Sequence, residues 1–275
     1  MIRMLIVSRL VLKFIKYCIQ FGVAPWKYFQ LNAKYFNKEK GIFSKLEMDR
    51  IIPEQWRLKQ VKLINEIIPD TFPVFLKPEW GQNANGIHRA DSIGEYQEIR
   101  QQLKQKKDLN YIIQEAAWGG FEYEIFYIRN NLQKEQFASF SVTEVCNVTE
   151  EYFPINSVQN NNTCYLDRSA DYTSDEKQQL WKMIHHIGDF KIARIAVSAD
   201  SKQELLRGIF HIIEINIFIP MPLNLLDHHV PWKVKNYFID SSMMALAKNV
   251  GSLPKSLVSK PIFFKKLMMH YRVKT

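Results

Sequence analysis

The sequence predicts an α+β protein whose sheets are largely antiparallel. Segments typical of strands and helices follow in the order strand, helix, strand, hairpins, helix and hairpin, which is not the regular alternation of a parallel sheet. The turn Trp118-Gly-Gly120 joins two strand-like segments. Near the carboxyl end, "KIARIAVSAD" and "IFHIIEINIFI" are two more strands separated by a short connection. With 275 residues, 47% of them hydrophobic, the chain can bury a sizeable core.

The first elements after the amino-terminal segment are a helix and a strand. Residues 46–68 are predicted to be helical, with Pro53 near the start of the helix and apolar residues on a shared face. The apolar segment "TFPVFLKP" is typical of a buried strand that ends at Pro78. Ser92-Ile-Gly-Glu95 has the pattern of a capping box and predicts a helix through about Lys106.

Several strands are predicted for the middle of the chain. "YIIQEAA" precedes the glycine turn, and "FEYEIFYI" then alternates so that Glu122 and Glu124 share one face. "QFASFSVTEV" is the next strand. Residues 155–172 are polar and lack periodicity, so we expect a long active-site loop there, with a disordered surface loop as the alternative.

A second helix and two strands carry the most informative polar residues. Thr173-Ser-Asp-Glu176 is another capping box, and the helix that it opens is predicted to stop at Gly188. The two strands that follow contain Arg194 in "ARIAV" and Glu214 with Asn216 in "IIEIN".

Charge is distributed unevenly along the chain. Residues 1–40 carry +7 and residues 255–275 carry +6, which leaves −4 for the rest of a total of +9. A nucleic-acid enzyme would be basic around its working cleft, so nucleic acid is not an expected partner. Hydrophobic residues are mixed with the terminal charges, a pattern that favours a membrane surface or an acidic partner.

Cysteine usage indicates a reducing compartment, and we therefore expect a cytoplasmic protein. Cys18, Cys146 and Cys164 are odd in number and lack the spacing of a disulfide framework or a zinc site.

The first 22 residues predict an amphipathic helix. Charges at Arg3, Arg9, Lys13 and Lys16 leave no uncharged stretch of the roughly 20 residues that span a bilayer, and no cleavage site of a signal peptide follows. On a helix, Arg9, Lys13, Lys16 and Gln20 form a narrow polar stripe beside a broad apolar face. That face either packs on the protein body or a second subunit, which we favour, or lies in a membrane interface.

Lys77 stands near the end of an apolar strand, just before the small-residue segment Gly81-Gln-Asn-Ala-Asn-Gly86. A buried lysine costs several kcal/mol unless a negative group meets it. Loops rich in Gly and Asn let backbone N–H groups close on an anion. The combination points to phosphate, and the alternative is a lysine that extends from an edge strand to solvent.

Glu214 and Asn216 point to the same side of an apolar strand, about 6.6 Å apart. Oxygen ligands at this spacing suit Mg²⁺, which binds one or two carboxylates together with phosphates. The alternative is a buried pair satisfied by local hydrogen bonds. The histidine pairs His185-His186 and His228-His229 lack ligand partners at metal spacing, so we do not expect them to bind metal.

These residues occur in the order found in the ATP-grasp superfamily: Lys77 before a glycine-rich loop, Glu115 and Glu122 around "QEAAWGGFEYE", then Arg194, then Glu214 with Asn216. Over about residues 46–228 the chain resembles the D-alanine–D-alanine ligase-like branch. The resemblance implies two α+β lobes with largely antiparallel sheets that clasp a nucleotide. Only 76 residues precede Lys77, so most of the usual N-terminal α/β domain is expected to be missing.

The resemblance also implies the cofactors, ATP and Mg²⁺ or Mn²⁺, and a role for each residue. Lys77 would contact phosphate oxygens and Arg194 would stabilise the transferring phosphoryl group. Glu115 would lie beside the adenine, Glu122 would accept the ribose hydroxyls, and Glu214 with Asn216 would hold the metal. The flap over the triphosphate would consist of Gly81, Gln82, Asn83, Asn85 and Gly86.

The reaction implied by the resemblance makes an acyl phosphate from a small or peptidic carboxylate, which an amine or a thiol then attacks. One position departs from the family pattern. The branch usually has a metal-binding Asp two residues after the arginine, and this chain has Ala196. Asp200 is about 13 Å along the strand from Ala196, too far to replace it. A non-catalytic nucleotide-binding protein, or a membrane-associated regulatory protein, therefore remains the alternative.

The expected organisation has three parts: a basic amphipathic segment at 1–45, a small lobe at 46–118, and a large lobe at 119–275 that includes a basic tail. Segments 1–22 and 255–275 are the candidates for peripheral contact with an anionic membrane. A substrate pocket without the usual N-terminal domain would be built differently or completed by a partner, such as the second subunit of a homodimer. Weak candidates for the substrate site are Pro220, Pro222, Asn224 and Asp227.

Overall fold

Two antiparallel sheets organise the chain. A computed structural model describes residues 2–64, 67–81, 83–104, 110–133, 135–149, 151–265 and 268. The helices are α1 (Ile2–Gln20), α2 (Lys45–Asp49), α3 (Ile93–Lys104), α4 (Ser174–Ile184), α5 (Lys202–Arg207) and α6 (Trp232–Gly251). The strands are β1 (Gln60–Lys62), β2 (Val74–Pro78), β3 (His88–Ala90), β4 (Tyr111–Glu115), β5 (Phe121–Arg129), β6 (Phe137–Asn147), β7 (Thr163–Asp167), β8 (Ile192–Ala199) and β9 (His211–Asn216).

The small sheet has the strand order β1-β4-β2-β3. Its strands pair antiparallel, with Leu76 opposite Ile113 between β2 and β4. Helix α3 covers one face, where Tyr96 and Leu103 are buried against Val74 and Leu76. Burial of these apolar side chains stabilises the sheet and fixes which face of β2 meets the core, so that Lys77 points to the opposite face from Leu76.

The large sheet has the strand order β7-β6-β5-β8-β9, and every neighbouring pair is antiparallel. One face packs on α4, where Trp181 is fully buried beside Tyr127. On the other face, Phe126 and Ile192 belong to the core beneath α1 and α6. Toward the other end of this second face the side chains become polar, beginning at Glu124. The same strands therefore supply a core at one end and charged groups at the other.

Helix α1 packs against α6, so one edge of its apolar face meets the protein body, as the favoured alternative predicts, while the rest of that face does not. Ile6 and Cys18 are fully buried there. Arg9 and Lys13 bond to Asn236 and Asp240 of α6, so much of the polar stripe lies against the protein. Exposed apolar residues occupy the outer side: Met4, Leu5, Val7, Val11, Leu12, Ile15 and Ile19. None of the helices within the described residues combines the length and apolar composition needed to cross a bilayer.

The helix predicted over 46–68 is wrong. Helix α2 covers only Lys45–Asp49, and the chain then runs into β1. Trp56 stacks on Phe210 at 4.8 Å between ring centroids and donates to the carbonyl of Gly208 at 2.8 Å. Val61 pairs with β4 in the small sheet. Tertiary pairing thus overrides a helical periodicity that was only local.

Part of the predicted loop 155–172 is also ordered differently. Strand β7 pairs with β6 as the edge of the large sheet. Its side chains are all partly exposed, so β7 lacks the alternation of apolar and polar residues that predicts a strand. Helix α4 has the predicted capping box at Thr173 but ends at Ile184, before Gly188. The remaining predicted strands and the α+β class are confirmed.

Candidate active site

Lys77 of β2 faces the large sheet across a small cavity. Its side chain is almost fully buried, and Nζ donates a hydrogen bond to Oε1 of Gln114 at 2.5 Å. Burial lowers the pKa of Lys77 to about 8, with Glu214 as the main opposing influence. The cavity is lined by Lys45, Met48, Asp49, Ile52, Gln60, Lys77, Gln114, Ile213, Glu214 and Ile215. Residues of both sheets therefore meet around this ammonium group.

Gln114 connects the two sheets. Its Oε1 accepts from Lys77, and its Nε2 donates to the backbone carbonyl of Ile213 and to Oε1 of Gln60, both at 3.1 Å. The β8–β9 register shifts between Ala196 and Val197, and this bulge leaves Ile213 outside the regular pairing. Bulges interrupt the ladder and redirect neighbouring side chains, and here the bulge places a free carbonyl where the small sheet can bond to it.

Glu214 and Asn216 lie together on β9, as the sequence predicts. Nδ2 of Asn216 is 3.3 Å from Oε2 of Glu214, and Nζ of Lys45 is 3.4 Å from its Oε1. Burial alone would raise the pKa of Glu214, but Lys45, Lys77 and Arg194 together outweigh burial and lower it. The carboxylate is therefore held in its ionised form by surrounding cations.

Arg194 of β8 bonds to Glu124 of β5, with Nε 3.1 Å from Oε2. Its Nη1 donates to the carbonyl of Met221 at 3.1 Å. Burial raises the pKa of Glu124 to about 7, although Arg194 opposes the rise. Burial also raises the pKa of Glu122, against a 2.8 Å hydrogen bond from Asn156 and the charge of Lys77.

The charged groups of this region form what we call the cleft cluster, defined by Lys45, Lys77, Glu122, Glu124, Arg194 and Glu214. Three cations and three acids gather between two sheets, which suits a polyanion that arrives with a counter-ion. Glu214 and Asn216 offer oxygen ligands, the type that Mg²⁺ prefers. Within the described residues no three His, Cys, Asp or Glu side chains group as a ready-made metal site. The donors present thus fit a magnesium ion whose other ligands are phosphate oxygens and water.

Comparison with known proteins identifies the fold. No family model and no curated protein matches the chain. Among solved structures, the D-Ala:D-Ser ligase VanG from Enterococcus faecalis is similar with a TM-score of 0.51 and 13% sequence identity, covering 80% of this chain and 69% of that one. The chain has the ATP-grasp fold.

Two further structures are similar at TM-scores too low to add to the ATP-grasp assignment. The D-alanine–D-alanine ligase from Bacillus anthracis complexed with ATP gives a TM-score of 0.46 at 13% identity, over 74% of this chain and 67% of that one. The L-amino acid ligase from Bacillus licheniformis gives 0.49 at 14% identity, over 78% of this chain and 48% of that one. The similarity to solved structures therefore assigns the fold of this chain and not its activity.

Within the ATP-grasp fold, most of the site residues predicted from sequence come together. Lys77 lies on the small sheet, and the large sheet carries those that face it: Glu122, Arg194, Glu214 and Asn216. Glu115 is engaged elsewhere, because its Oε1 accepts from the backbone N–H of Lys59 at 2.7 Å.

The predicted flap turns back toward the large sheet. Asn83 and Gly86 both have positive φ, and a Cβ at Gly86 would lie 3.1 Å from Cγ of Pro78. The carbonyl of Asn83 accepts from the Ser157 hydroxyl at 3.2 Å. Gln82 lies outside the described residues.

Sequence reasoning missed three members of the arrangement. Lys45 gave no signal, because it is the last residue of the basic segment 1–45, in which one lysine among many does not stand out. Gln114 is an amide in an otherwise apolar strand, and a polar side chain in such a strand indicates a buried hydrogen-bonding role. Glu124 was placed on the same face as Glu122, but its contact with Arg194 depends on strand register, with Phe126 opposite Arg194 and Glu124 opposite Ala196.

Proposed function

We propose that the protein is an ATP-dependent ligase that joins a small or peptidic carboxylate to an amine or a thiol through an acyl phosphate. The fold supports the coarse assignment, since its structural neighbours are ligases. The observation that carries the proposal is the convergence of Lys77 from one sheet with Arg194 and Glu214 from the other.

The cleft cluster offers what phosphoryl transfer requires. Catalysis of this kind depends on positioning and on stabilising negative charge, with little need for a protein nucleophile. Lys77 is proposed to contact the phosphates as a point charge and Arg194 to bond the transferring group. Magnesium held by Glu214 and Asn216 would neutralise negative charge on the phosphates. Closing the cleft around the acyl phosphate would exclude water, which would otherwise hydrolyse it.

The remaining nucleotide contacts are proposed from the family pattern. Glu115 is proposed to lie beside the adenine and Glu122 at the ribose hydroxyls. The flap over the phosphates is proposed to include Gly81, Gln82, Asn83, Asn85 and Gly86, with positive φ at Asn83 and Gly86 as support.

The direct test is ATP consumption. Purified protein with Mg²⁺ or Mn²⁺ is incubated with ATP and pools of amino acids and dipeptides, and ADP release is measured. We expect ADP release that depends on the added acid and is lost in Glu214→Gln. The matched control is Glu144→Gln, which changes a glutamate on the opposite face of the same sheet, where it bonds to Arg168 at 2.7 Å. Full ADP release by Glu214→Gln would contradict the metal site.

A nucleotide-binding protein without turnover is the second candidate, and Ala196 is the observation that favours it. This alternative predicts ATP binding by the wild-type protein with no ADP release from any acid or amine pool. The ATP-consumption assay, run beside a nucleotide-binding measurement, separates the two candidates.

We also propose peripheral contact with an anionic membrane through residues 1–22 and 255–275 of a cytoplasmic protein. Leu12 and Ile19 are 66% and 73% exposed on the outer side of α1, and Phe264 of the basic tail is 69% exposed. Apolar side chains beside a positive net charge suit an anionic lipid surface. Three free thiols accord with a reducing compartment.

Cosedimentation with phosphatidylserine vesicles tests this contact. The variant Leu12→Glu/Ile19→Glu should lose binding, whereas truncation of α1 would be uninformative because Ile6 and Cys18 belong to the core. Unchanged binding would contradict the membrane contact. A wild-type dimer in analytical ultracentrifugation that the variant abolishes would instead assign the surface to a homodimer.

A further inference from the structure

Three paired residues form a row across strands β5, β8 and β9 of the large sheet, with one glutamate at each end and an alanine between them. Glu124 on β5 pairs with Ala196 on β8, and Ala196 pairs with Glu214 on β9. Directly paired residues of antiparallel strands point to the same face of the sheet. Both glutamates therefore rise from the face that meets Lys77, and the residue between them, Ala196, contributes only a methyl group.

The spacing suits a shared cation. Neighbouring strands lie about 4.8 Å apart, which puts the two glutamate backbones about 10 Å from each other. Two glutamate side chains that lean together over a methyl group can close this gap to an ion that binds oxygen at about 2.0–2.1 Å. Asn216, one pleat along β9 from Glu214 on the same face, adds an amide oxygen.

A buried hydroxyl next to Glu124 supports a second position of its carboxylate. Thr143 is the partner of Glu124 on β6, on the side away from Ala196. Its side chain is fully buried, and its Oγ1 has no hydrogen-bond partner among the described residues. An unsatisfied buried hydroxyl costs about 1–3 kcal/mol, and carboxylates that bind metals are usually held by such donors. The row thus contains a donor that the present position of Glu124 does not use.

The bond to Arg194 does not exclude this role. Arg194 engages only Oε2 of Glu124, and a carboxylate has two oxygens with about four acceptor positions. Oε1 therefore stays available for a cation while Arg194 keeps its hydrogen bond. Glu214 engages Lys45 through Oε1 and Asn216 through Oε2, so a cation at Glu214 would displace Lys45 from this carboxylate.

We propose that Glu124 is a metal ligand of this chain and that it shares a divalent cation with Glu214 above Ala196. This inference rests on the proposed function, because the cation is the one that accompanies ATP. In this arrangement the second carboxylate comes from Glu124 on β5. Ala196, its neighbour on β8, has only a methyl group.

The experiment measures Mn²⁺ binding by electron paramagnetic resonance in the presence of a non-hydrolysable ATP analogue. Four proteins are compared: wild type, Glu124→Gln, Glu124→Gln/Ala196→Asp and the control Glu144→Gln. We expect Glu124→Gln to weaken Mn²⁺ binding by about tenfold or more. Ala196→Asp moves a carboxylate to the middle of the row and should restore most of the lost affinity. Glu144→Gln should bind Mn²⁺ like the wild type, and circular dichroism checks that each variant is folded.

The outcomes separate a ligand from a residue that only positions Arg194. Wild-type Mn²⁺ affinity in Glu124→Gln would overturn the inference and leave Glu124 as the partner of Arg194. Failure of Ala196→Asp to improve the Glu124→Gln variant would also count against a shared ion above Ala196. Binding of a fluorescent ATP analogue to the wild-type protein in excess Mg²⁺ reports on the nucleotide site. If the wild-type protein does not bind that analogue, the proposed function fails, and the metal site fails with it.

Discussion

Two arginines of the large sheet are held in different ways. Arg129 at the end of β5 donates to three backbone carbonyls, those of Phe190, His185 and Gly188, at 2.8–3.2 Å. Its guanidinium also lies 5.0 Å from the ring centroid of Trp181. Arg194 on β8 has five donors, but among the described residues it makes hydrogen bonds only to Glu124 and to the carbonyl of Met221.

We interpret the difference as that between a structural charge, Arg129, and a charge available to a ligand, Arg194. Fixed carbonyls surround Arg129 and the carboxylate of Asp189 lies 3.7 Å from its Nε, so its charge is compensated by the fold itself. Arg194 keeps unused donors in the cleft cluster, and the carboxylate to which it is hydrogen-bonded, Glu124, has a pKa raised to about 7, first of all by burial. Buried charges that the fold leaves incompletely matched are typical of functional sites.

The largest expected effect is on turnover in Arg194→Ala. Because Arg194 is proposed to stabilise the transferring phosphoryl group, its loss should reduce ADP release about 10³-fold. The free energy of unfolding in urea should fall by only about 1–2 kcal/mol, because Glu124 and the carbonyl of Met221 each lose one hydrogen bond. Arg168→Ala, a partly exposed arginine on the other face, is the control. Wild-type ADP release by Arg194→Ala would contradict a functional role for Arg194 that Arg129 does not have.

Arg129→Met should show the reverse pattern. Removing the guanidinium leaves three carbonyls without their donor, and we expect a loss of about 3 kcal/mol in the free energy of unfolding. The affinity for an ATP analogue, measured at low temperature where the variant stays folded, should stay near the wild-type value. A stable Arg129→Met variant with weakened nucleotide binding would contradict the structural role.

Lys77→Met should gain stability while it loses nucleotide binding. The pKa of Lys77 falls from 10.5 to about 8 on folding, which costs about 3 kcal/mol at neutral pH. Losing the hydrogen bond to Gln114 offsets about 1 kcal/mol of this, so a net gain of about 2 kcal/mol is expected.

The stability gain of Lys77→Met should depend on pH. Between about pH 8 and 10.5 the unfolded wild type holds a proton on Lys77 that the folded state has released. Wild-type stability therefore rises with pH in this window, and the advantage of the variant shrinks. Urea denaturation at pH 7 and pH 9.5 measures the gap, and a constant gap would show that burial does not perturb Lys77.

The smallest expected effect is in Lys45→Met. Nζ of Lys45 lies 3.4 Å from Glu214, so an incoming divalent cation must compete with it. Without nucleotide, the variant should bind Mn²⁺ about threefold more tightly, the amount that a partly exposed ion pair is worth. Calorimetric titration with MnCl₂ measures this affinity. Weaker binding would show that Lys45 supports the metal site.

The sequence predicted elements whose signals are local. Strands β2, β5 and β8 have dense or alternating apolar residues, and the capping box of α4 lies within four residues. It did not predict β1, which depends on pairing with β4, or β7, whose edge position removes the apolar pattern.

In the candidate site, too, some features were predictable from the sequence and others depend on strand pairing. The order of Lys77, Arg194 and Glu214 along the chain indicated a common site, and the structure brings these charges together. The contact of Gln114 with the bulge at Ile213, and the row that joins Glu124 to Glu214, depend on strand register. A one-residue shift in register would turn those side chains to the other face, and no local pattern fixes it.

The most direct test of the account is a crystal structure with a non-hydrolysable ATP analogue and Mn²⁺. We expect a triphosphate between the two sheets, in contact with Lys77 and Arg194, and an anomalous manganese peak at Glu214. A nucleotide bound outside this cleft, or a cleft that still holds Lys45 against Glu214 at saturating nucleotide and Mn²⁺, would contradict it.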